Sequence, residues 1–174
     1  DWSSDVCSSD LLGYITSKMP SVAPPMGTTM LSVLASNHQI EWISVGDSPL
    51  FLYREGKLHR LNADHSLTPI LEERVKQGLM TAEEAAAHPD RHTLQSALLG
   101  YPMALIDFPK EPLPVKSGDI IIAASDGIFT LSDKALEELL GFGRHTTADK
   151  ITDAILFAIR RINYERQDNA TIGV

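Results

Sequence analysis

The stretch Asp119-Ile-Ile-Ile-Ala-Ala-Ser-Asp-Gly127 passes from an apolar run directly into an acidic turn. Its β-branched and apolar residues predict a buried strand over 119–124, so that Asp126 follows the end of a strand. Two more aspartates have the same setting, because Asp47 ends one predicted strand and Asp168 just precedes another. A rigid sheet can hold such carboxylates in place while water or a cation reaches them.

These three turns together favour a cation site. Carboxylates on converging strand ends present hard oxygen ligands, which suit Mg²⁺ or Mn²⁺ and suit zinc poorly. Each turn taken alone also has a plain structural explanation, because Asp-Gly and Asp-Asn are common turn dipeptides. Only their combination along the chain points to a shared function.

The elements around the acidic turns predict an α+β domain. Four short strands with tight turns between them, over 28–35, 40–45, 50–53 and 57–61, predict one antiparallel meander. Helical spacing follows over 67–87, where Thr81 and Glu84 form a capping-box pattern. The later elements are a strand over 104–108, a helix over 132–140 with Ser132 as N-cap, an amphipathic helix over 147–164 and a strand over 170–174. The predicted apolar face of the amphipathic helix consists of Ile151, Ala154, Ile155, Ala158, Ile159 and Ile162.

Composition excludes several classes of protein. The 174 residues suit one domain or a large part of one, and 15 basic against 23 acidic residues give a net charge of −8. Such a surface repels polyanions, so we expect no nucleic-acid partner, and an anionic substrate needs a local source of positive charge. The single cysteine, Cys7, cannot form an internal disulfide. With no apolar stretch long enough for a bilayer and no signal-peptide pattern, we expect a cytoplasmic protein with no membrane partner.

Residues 1–11 do not resemble the start of a domain. They repeat a Ser-Ser-Asp unit without hydrophobic periodicity and resemble a translated sequencing adapter. A flexible polar tail is the alternative interpretation. In either case we exclude residues 1–11 from functional reasoning and expect native sequence to begin near Leu12, with an upstream part lost.

The order of the motifs resembles that of one known family. The motifs are Gly27-Thr-Thr29, Val45-Gly-Asp-Ser48, Leu61-Asn-Ala-Asp-His-Ser66, Ser117-Gly-Asp119, Ser125-Asp-Gly127 and Asp168-Asn-Ala-Thr171. This is the order found in the type 2C, metal-dependent (PPM) serine/threonine protein phosphatases of bacterial type. The resemblance extends from about Gly27 to Val174, so that residues 12–174 are interpreted as the C-terminal major part of such a domain.

The resemblance implies a fold, a reaction and a set of ligands. The fold is a sandwich of two antiparallel β-sheets flanked by helices (α-β-β-α), here incomplete at the N-terminus. The reaction is hydrolysis of phosphoserine or phosphothreonine on a protein by a metal-activated water, opposing a serine/threonine kinase. Asp126 and Asp168 match carboxylates of a dinuclear Mn²⁺ or Mg²⁺ centre, and Asp47 matches a ligand of a third, weaker ion. The region 67–100 matches a variable flap that influences substrate choice.

The chain also departs from the family pattern. An upstream Asp-Gly-x-Gly-Gly run, whose aspartate bridges both metals, has no counterpart before Gly27, so we expect this chain alone to be inactive. Thr130 stands where many relatives place a metal-binding Asp, and Pro49 stands where many have Arg. These two positions leave open an alternative function, namely a non-catalytic signalling or binding module of the same fold.

Overall fold

Two antiparallel β-sheets form the framework of the chain. The computed structural model describes residues 27–36, 38–99, 102–143, 146–162 and 168–174, so the interpretation of residues 1–11 lies outside the described residues. The first sheet has the order β1-β2-β5 and the second the order β4-β3-β6-β7. The strands are β1 (Met30–Ser36), β2 (Gln39–Val45), β3 (Leu50–Arg54), β4 (Lys57–Arg60), β5 (Leu113–Pro114), β6 (Ile120–Ala124) and β7 (Ile172–Gly173).

Two of the helices begin directly after the predicted capping residues Thr81 and Ser132. They are α1 (Thr68–Lys76), α2 (Ala82–Ala86), α3 (Asp133–Gly143) and α4 (Ala148–Ile162), with a 3₁₀ helix at Asp126–Thr130. The Thr81 hydroxyl accepts a hydrogen bond from the Glu84 amide at 3.1 Å, and the Glu84 carboxylate accepts one from the Thr81 amide at 2.8 Å. The Ser132 hydroxyl accepts from the Ala135 amide at 3.3 Å. Both predicted caps are confirmed. Among the described helices, none has the length and apolar character needed to cross a bilayer.

The predicted four-stranded meander is wrong, because the four strands form two hairpins in separate sheets. β1 pairs with β2, and β3 pairs with β4 and β6. The chain crosses between the sheets at residues 46–49, where Gly46 adopts a φ of +105°. The Asn62 side chain satisfies the backbone at this crossing, accepting from the Leu50 amide at 2.8 Å and donating to the Ser48 carbonyl at 2.9 Å. The Asn62 side-chain amide therefore supplies the hydrogen-bond partners that a neighbouring strand would supply in a continuous meander.

The predicted strand over 104–108 is also wrong. Asp107 forms only an isolated bridge to Ser44, with backbone N···O distances of 2.9 and 3.0 Å. Its carboxylate accepts hydrogen bonds from the Trp42 indole at 2.8 Å and from the Ala63 amide at 3.2 Å. Leu105 adds two hydrogen bonds with the Ser96 hydroxyl, so isolated contacts hold the segment in place of a strand ladder. The third strand of the first sheet is instead β5, in which Leu113 lies opposite Ile40.

The central strand β3 is buried on both faces. Phe51 and Tyr53 join a core with Ile122 of β6, and helices α3 and α4 complete this core. Leu50 and Leu52 lie on the opposite face of β3 and are equally buried. Helix α4 contributes Ile151, Ile155 and Ile159 to the core, as predicted, whereas Ala154 and Ile162 of the predicted face are exposed. The two sheets and their helices confirm the predicted α+β sandwich.

One ion pair, between Arg54 and Asp119, links the end of β3 to the residue before β6. Arg54 donates to both carboxylate oxygens of Asp119, at 2.9 and 2.6 Å, and to the Pro114 carbonyl at 2.9 Å. The hydrogen bonds from Arg54 lower the pKa of Asp119 below its ordinary value of 3.8. Because the folded-state pKa is depressed, the ionised carboxylate stabilises the fold above that ordinary value and loses this effect as the pH falls.

We therefore expect Asp119→Asn to lower the unfolding temperature at pH 7. The difference from the unchanged protein should shrink as the pH falls below the ordinary carboxyl pKa of 3.8. Thermal unfolding followed by circular dichroism at a series of pH values measures this. Asp153→Asn, at an exposed position of α4, serves as the control. A difference that stays constant with pH would contradict the assignment.

Candidate functional site

The three predicted aspartates lie at one edge of the second sheet. β6 is antiparallel to both of its neighbours, with Leu50 opposite Ala123 and Ile172 opposite Ala124. The start of β3, the end of β6 and the start of β7 therefore share an edge. Asp47 precedes β3, Asp126 follows β6 and Asp168 precedes β7, so the pairing brings their three segments together.

Ser125 joins the segments of Asp126 and Asp168. Its amide donates to the Thr171 carbonyl at 2.9 Å, and its hydroxyl accepts from the Thr171 amide at 3.0 Å. The same hydroxyl donates to the Asn169 carbonyl at 3.1 Å. The sequence analysis did not assign this role to Ser125. The sequence feature that could have indicated this role is the serine directly before Asp-Gly, since a short hydroxyl side chain readily forms hydrogen bonds with nearby backbone.

Gly127 allows the two segments to touch. A Cβ atom at position 127 would lie 2.6 Å from the Asn169 carbonyl oxygen and 3.0 Å from the Ala170 Cα. Both of these are backbone atoms, which cannot rotate away. The close approach of the two segments therefore requires the glycine that follows Asp126.

Asp47 is the least solvated of the three carboxylates. Asp47 is partly buried, whereas Asp126 and Asp168 are exposed. Burial raises the pKa of Asp47 above its ordinary value, and repulsion from Asp126 and Asp64 raises it further, while Arg60 opposes the shift. Mutual repulsion at this edge makes a nearby cation favourable.

The loop that carries Asp47 is anchored by His65. Nδ1 of this buried histidine accepts from the Gly46 amide at 3.2 Å, and the His65 amide donates to the Gly46 carbonyl at 3.1 Å. The neighbouring Asp64 carboxylate accepts from the Ser66 amide at 2.9 Å. These contacts give the Asp-His-Ser motif a structural role beside the site.

The donor chemistry of this edge fits Mn²⁺ or Mg²⁺, because the predicted ligands are all carboxylates. The number of donors is smaller than a dinuclear centre requires. Within the described ranges, no three His, Cys, Asp or Glu side chains form a group that could hold a metal ion. The described residues thus offer ligands of the right type but not a complete set.

Known proteins with similar sequences are bacterial protein phosphatases. No protein-family model matches the chain. It is 34% identical over 149 residues to protein phosphatase PhpP of Streptococcus pneumoniae, covering 86% of the chain and 57% of PhpP. It is 31% identical over 116 residues to the serine/threonine protein phosphatase PstP of Mycobacterium tuberculosis, covering 66% of the chain and 21% of PstP. The chain therefore spans only part of the length of these relatives.

Solved structures share the fold. The serine/threonine phosphatase of S. agalactiae superposes with a TM-score of 0.73 at 27% identity, covering 98% of the chain and 67% of that protein. The catalytic domain of PstP in complex with two manganese ions superposes with a TM-score of 0.67 at 24% identity, covering 97% of the chain and 65% of that domain. The similar sequences and the shared fold together define the class as that of the PPM phosphatases. The chain belongs to the bacterial type 2C (PPM) family of serine/threonine protein phosphatases.

We expect Gly127→Ala to destabilise the fold by about 1–3 kcal/mol, the usual cost of forcing an extra methyl group into a packed site. The reason is the overlap with the Asn169 backbone. Urea unfolding measures the free energy. Gly141→Ala in helix α3 is the matched control, because its Cβ would meet only the Tyr53 hydroxyl, at 3.2 Å. Equal effects of the two substitutions would contradict the close approach at Gly127.

Proposed function

We propose that the protein of which this chain is a part hydrolyses phosphoserine or phosphothreonine on proteins in a divalent-metal-dependent reaction. One observation carries the proposal: Ser125 binds the segment of Asp168 next to Asp126, beside the partly buried Asp47. Membership of a family whose relatives are serine/threonine phosphatases supports the same reaction.

Asp126 and Asp168 are the residues proposed to hold the paired ions, Mn²⁺ or Mg²⁺, and Asp47 is proposed to hold a third, weaker ion. The two manganese ions in the PstP catalytic domain support this choice of metal. When bound, divalent cations supply a water of lowered pKa and positive charge for the phosphoryl oxygens. The carboxylates of this chain would hold these cations at the edge of the sheet. Because the chain has a net charge of −8, a phosphate needs this local positive charge to be attracted.

The flap is proposed to influence the choice of phosphoprotein. Its helices α1 and α2 lie within the region 67–99. Within this region the Leu67 amide donates to the Thr93 carbonyl at 3.0 Å, which joins the two ends of the flap. One contact ties the flap to the acidic edge: the Gln95 amide donates to the His65 carbonyl at 2.7 Å. Since His65 anchors the Asp47 loop, the flap and the site share one support. The substrate is proposed to be a product of a serine/threonine kinase, which makes phosphoserine and phosphothreonine.

The 174-residue chain by itself is proposed to be inactive. The described residues present too few carboxylates to balance two divalent cations. The remaining ligands are proposed to come from sequence upstream of this chain. Comparing the 174-residue chain with the full open reading frame under identical Mn²⁺ concentrations tests this, and equal activity would refute it.

A non-catalytic binding module of the same fold is the second candidate function. Thr130 supports it, because this residue ends the 3₁₀ helix that begins with Asp126, at a position where many relatives have a metal-binding Asp. Calorimetric titration of the full-length protein with Mn²⁺ separates the candidates. A binding module should show no tight binding of paired ions.

We expect Asp126→Asn in the full-length protein to reduce Mn²⁺-dependent hydrolysis of p-nitrophenyl phosphate at least about 100-fold. Loss of even a residue that supports a metal ligand costs about 10–100-fold, so loss of a ligand should cost no less. Asp153→Asn on the exposed side of α4 is the control and should retain activity. Activity without metal, or an unaffected Asp126→Asn variant, would refute the mechanism.

A further inference from the structure

Arg60 connects the Asp47 loop to the second sheet. It lies on β4 opposite Phe51. Nη2 of its guanidinium donates to the Asp47 carbonyl at 2.8 Å, and Nη1 donates to the Asp64 carboxylate at 3.0 Å. The planar guanidinium of Arg60 therefore holds the backbone of Asp47, while its bond to Asp64 fixes its own orientation.

The same guanidinium also contacts the 3₁₀ helix that contains Asp126. Its central carbon lies 5.8 Å from the centroid of the Phe129 ring, within the range of a cation–π contact. Phe129 in turn packs edge-to-face on Phe51, with centroids 6.4 Å apart and an interplanar angle of 81°. Arg60 is thus in contact with two of the three segments that present a predicted ligand, the Asp47 loop and the helix at Asp126–Thr130.

The position of Arg60 has a cost that stability alone does not explain. Its Nε is buried and has no hydrogen-bond partner within the described part of the chain. Burying an unpaired donor costs free energy. The ring beneath the guanidinium, Phe129, is 48% exposed, so the cation–π contact lies at the surface of the protein. An arrangement that costs stability and lies beside an acidic edge points to a functional role.

We propose that Arg60 is a positioning residue that fixes the spacing between the Asp47 loop and Asp126 for divalent-cation binding. The inference rests on the proposed function, because it assigns to Arg60 the support of that same site. Arg60 acts through the Asp47 carbonyl and the Phe129 ring, and it needs no contact with substrate to do so.

Two roles for Arg60 predict opposite results. If Arg60 acted only as a nearby positive charge, its removal would tighten Mn²⁺ binding, because repulsion between two cations would disappear. If it acts by position, its removal weakens Mn²⁺ binding, because the two carboxylate segments are no longer held together. Lysine separates the roles further, since it keeps the charge but lacks the planar fork that serves two acceptors at once.

The experiment uses the full-length protein with Arg60→Met and Arg60→Lys. Arg54→Met is the matched control, because Arg54 at the other end of β3 also binds a carboxylate, that of Asp119, and a backbone carbonyl, that of Pro114. Its side chain is also similarly exposed, 22% against 24% for Arg60. Mn²⁺ affinity is measured by calorimetry, and the unfolding temperature is measured without metal. The values of kcat and KM for p-nitrophenyl phosphate are measured at several Mn²⁺ concentrations.

We expect both Arg60 variants to bind Mn²⁺ about tenfold or more weakly, the lower end of the effect seen for residues that orient metal ligands. Activity should recover as Mn²⁺ is raised, with KM for the substrate little changed. Arg54→Met should lower the unfolding temperature without changing Mn²⁺ affinity. A merely structural role of Arg60 would give the Arg54→Met pattern.

Tighter binding in Arg60→Met, or unchanged binding in Arg60→Lys, would overturn the inference while the proposed function stands. The inference would also be overturned, with the proposed function intact, if the protein without substitutions binds Mn²⁺ and hydrolyses substrate and the Arg60 variants do both equally well. Failure of the unchanged protein to bind Mn²⁺ would instead overturn the proposed function and this inference with it.

Discussion

The antiparallel pairing of β6 with both β3 and β7 is the constraint on which the site depends. It places the end of β6 beside the start of its two neighbours, so residues far apart in sequence lie at one edge. The Ser125 hydroxyl then links the end of β6 to the segment that follows Asp168. One aspartate lies beside the end of each of these three strands, and the pairing of the strands sets the approximate spacing of the aspartates. This explains why the carboxylates lie in turns, since a strand interior would point them into the core.

Stability and charge oppose each other at this edge. Burial and the nearby carboxylates raise the pKa of Asp47, because its ionised form loses solvation and is repelled by Asp126 and Asp64. His65 and Arg60 hold the Asp47 loop in position through backbone contacts. At the other end of the sheet, Arg54 and Asp119 form a paired contact, and its hydrogen bonds lower the pKa of Asp119 in spite of burial. The two ends of one sheet thus contain the same residue types with different consequences.

The errors of the sequence analysis have a common physical cause. Periodicity identified β1 to β4, but it gave no information on which strands pair, and the crossing between sheets depends on the Asn62 side chain reaching Leu50. Segment 104–108 has the apolar pattern of a strand, yet Asp107 forms only an isolated bridge to Ser44 and a side-chain hydrogen bond to Trp42. β5 escaped prediction because two residues, one of them proline, have no period. In each case long-range partners decided what local pattern left open.

By itself, the sequence determined most of the helices and strands and the residue types at their ends. Local signals sufficed for the Thr81 cap, the core face of α4 and the aspartates at strand ends, because capping, amphipathicity and turn preference act over a few residues. Only the tertiary structure decided what lies next to these aspartates. Ser125 against Asn169, the close approach at Gly127 and Arg60 above Phe129 are contacts between distant segments. Such contacts depend on the pairing of strands, which no local pattern encodes.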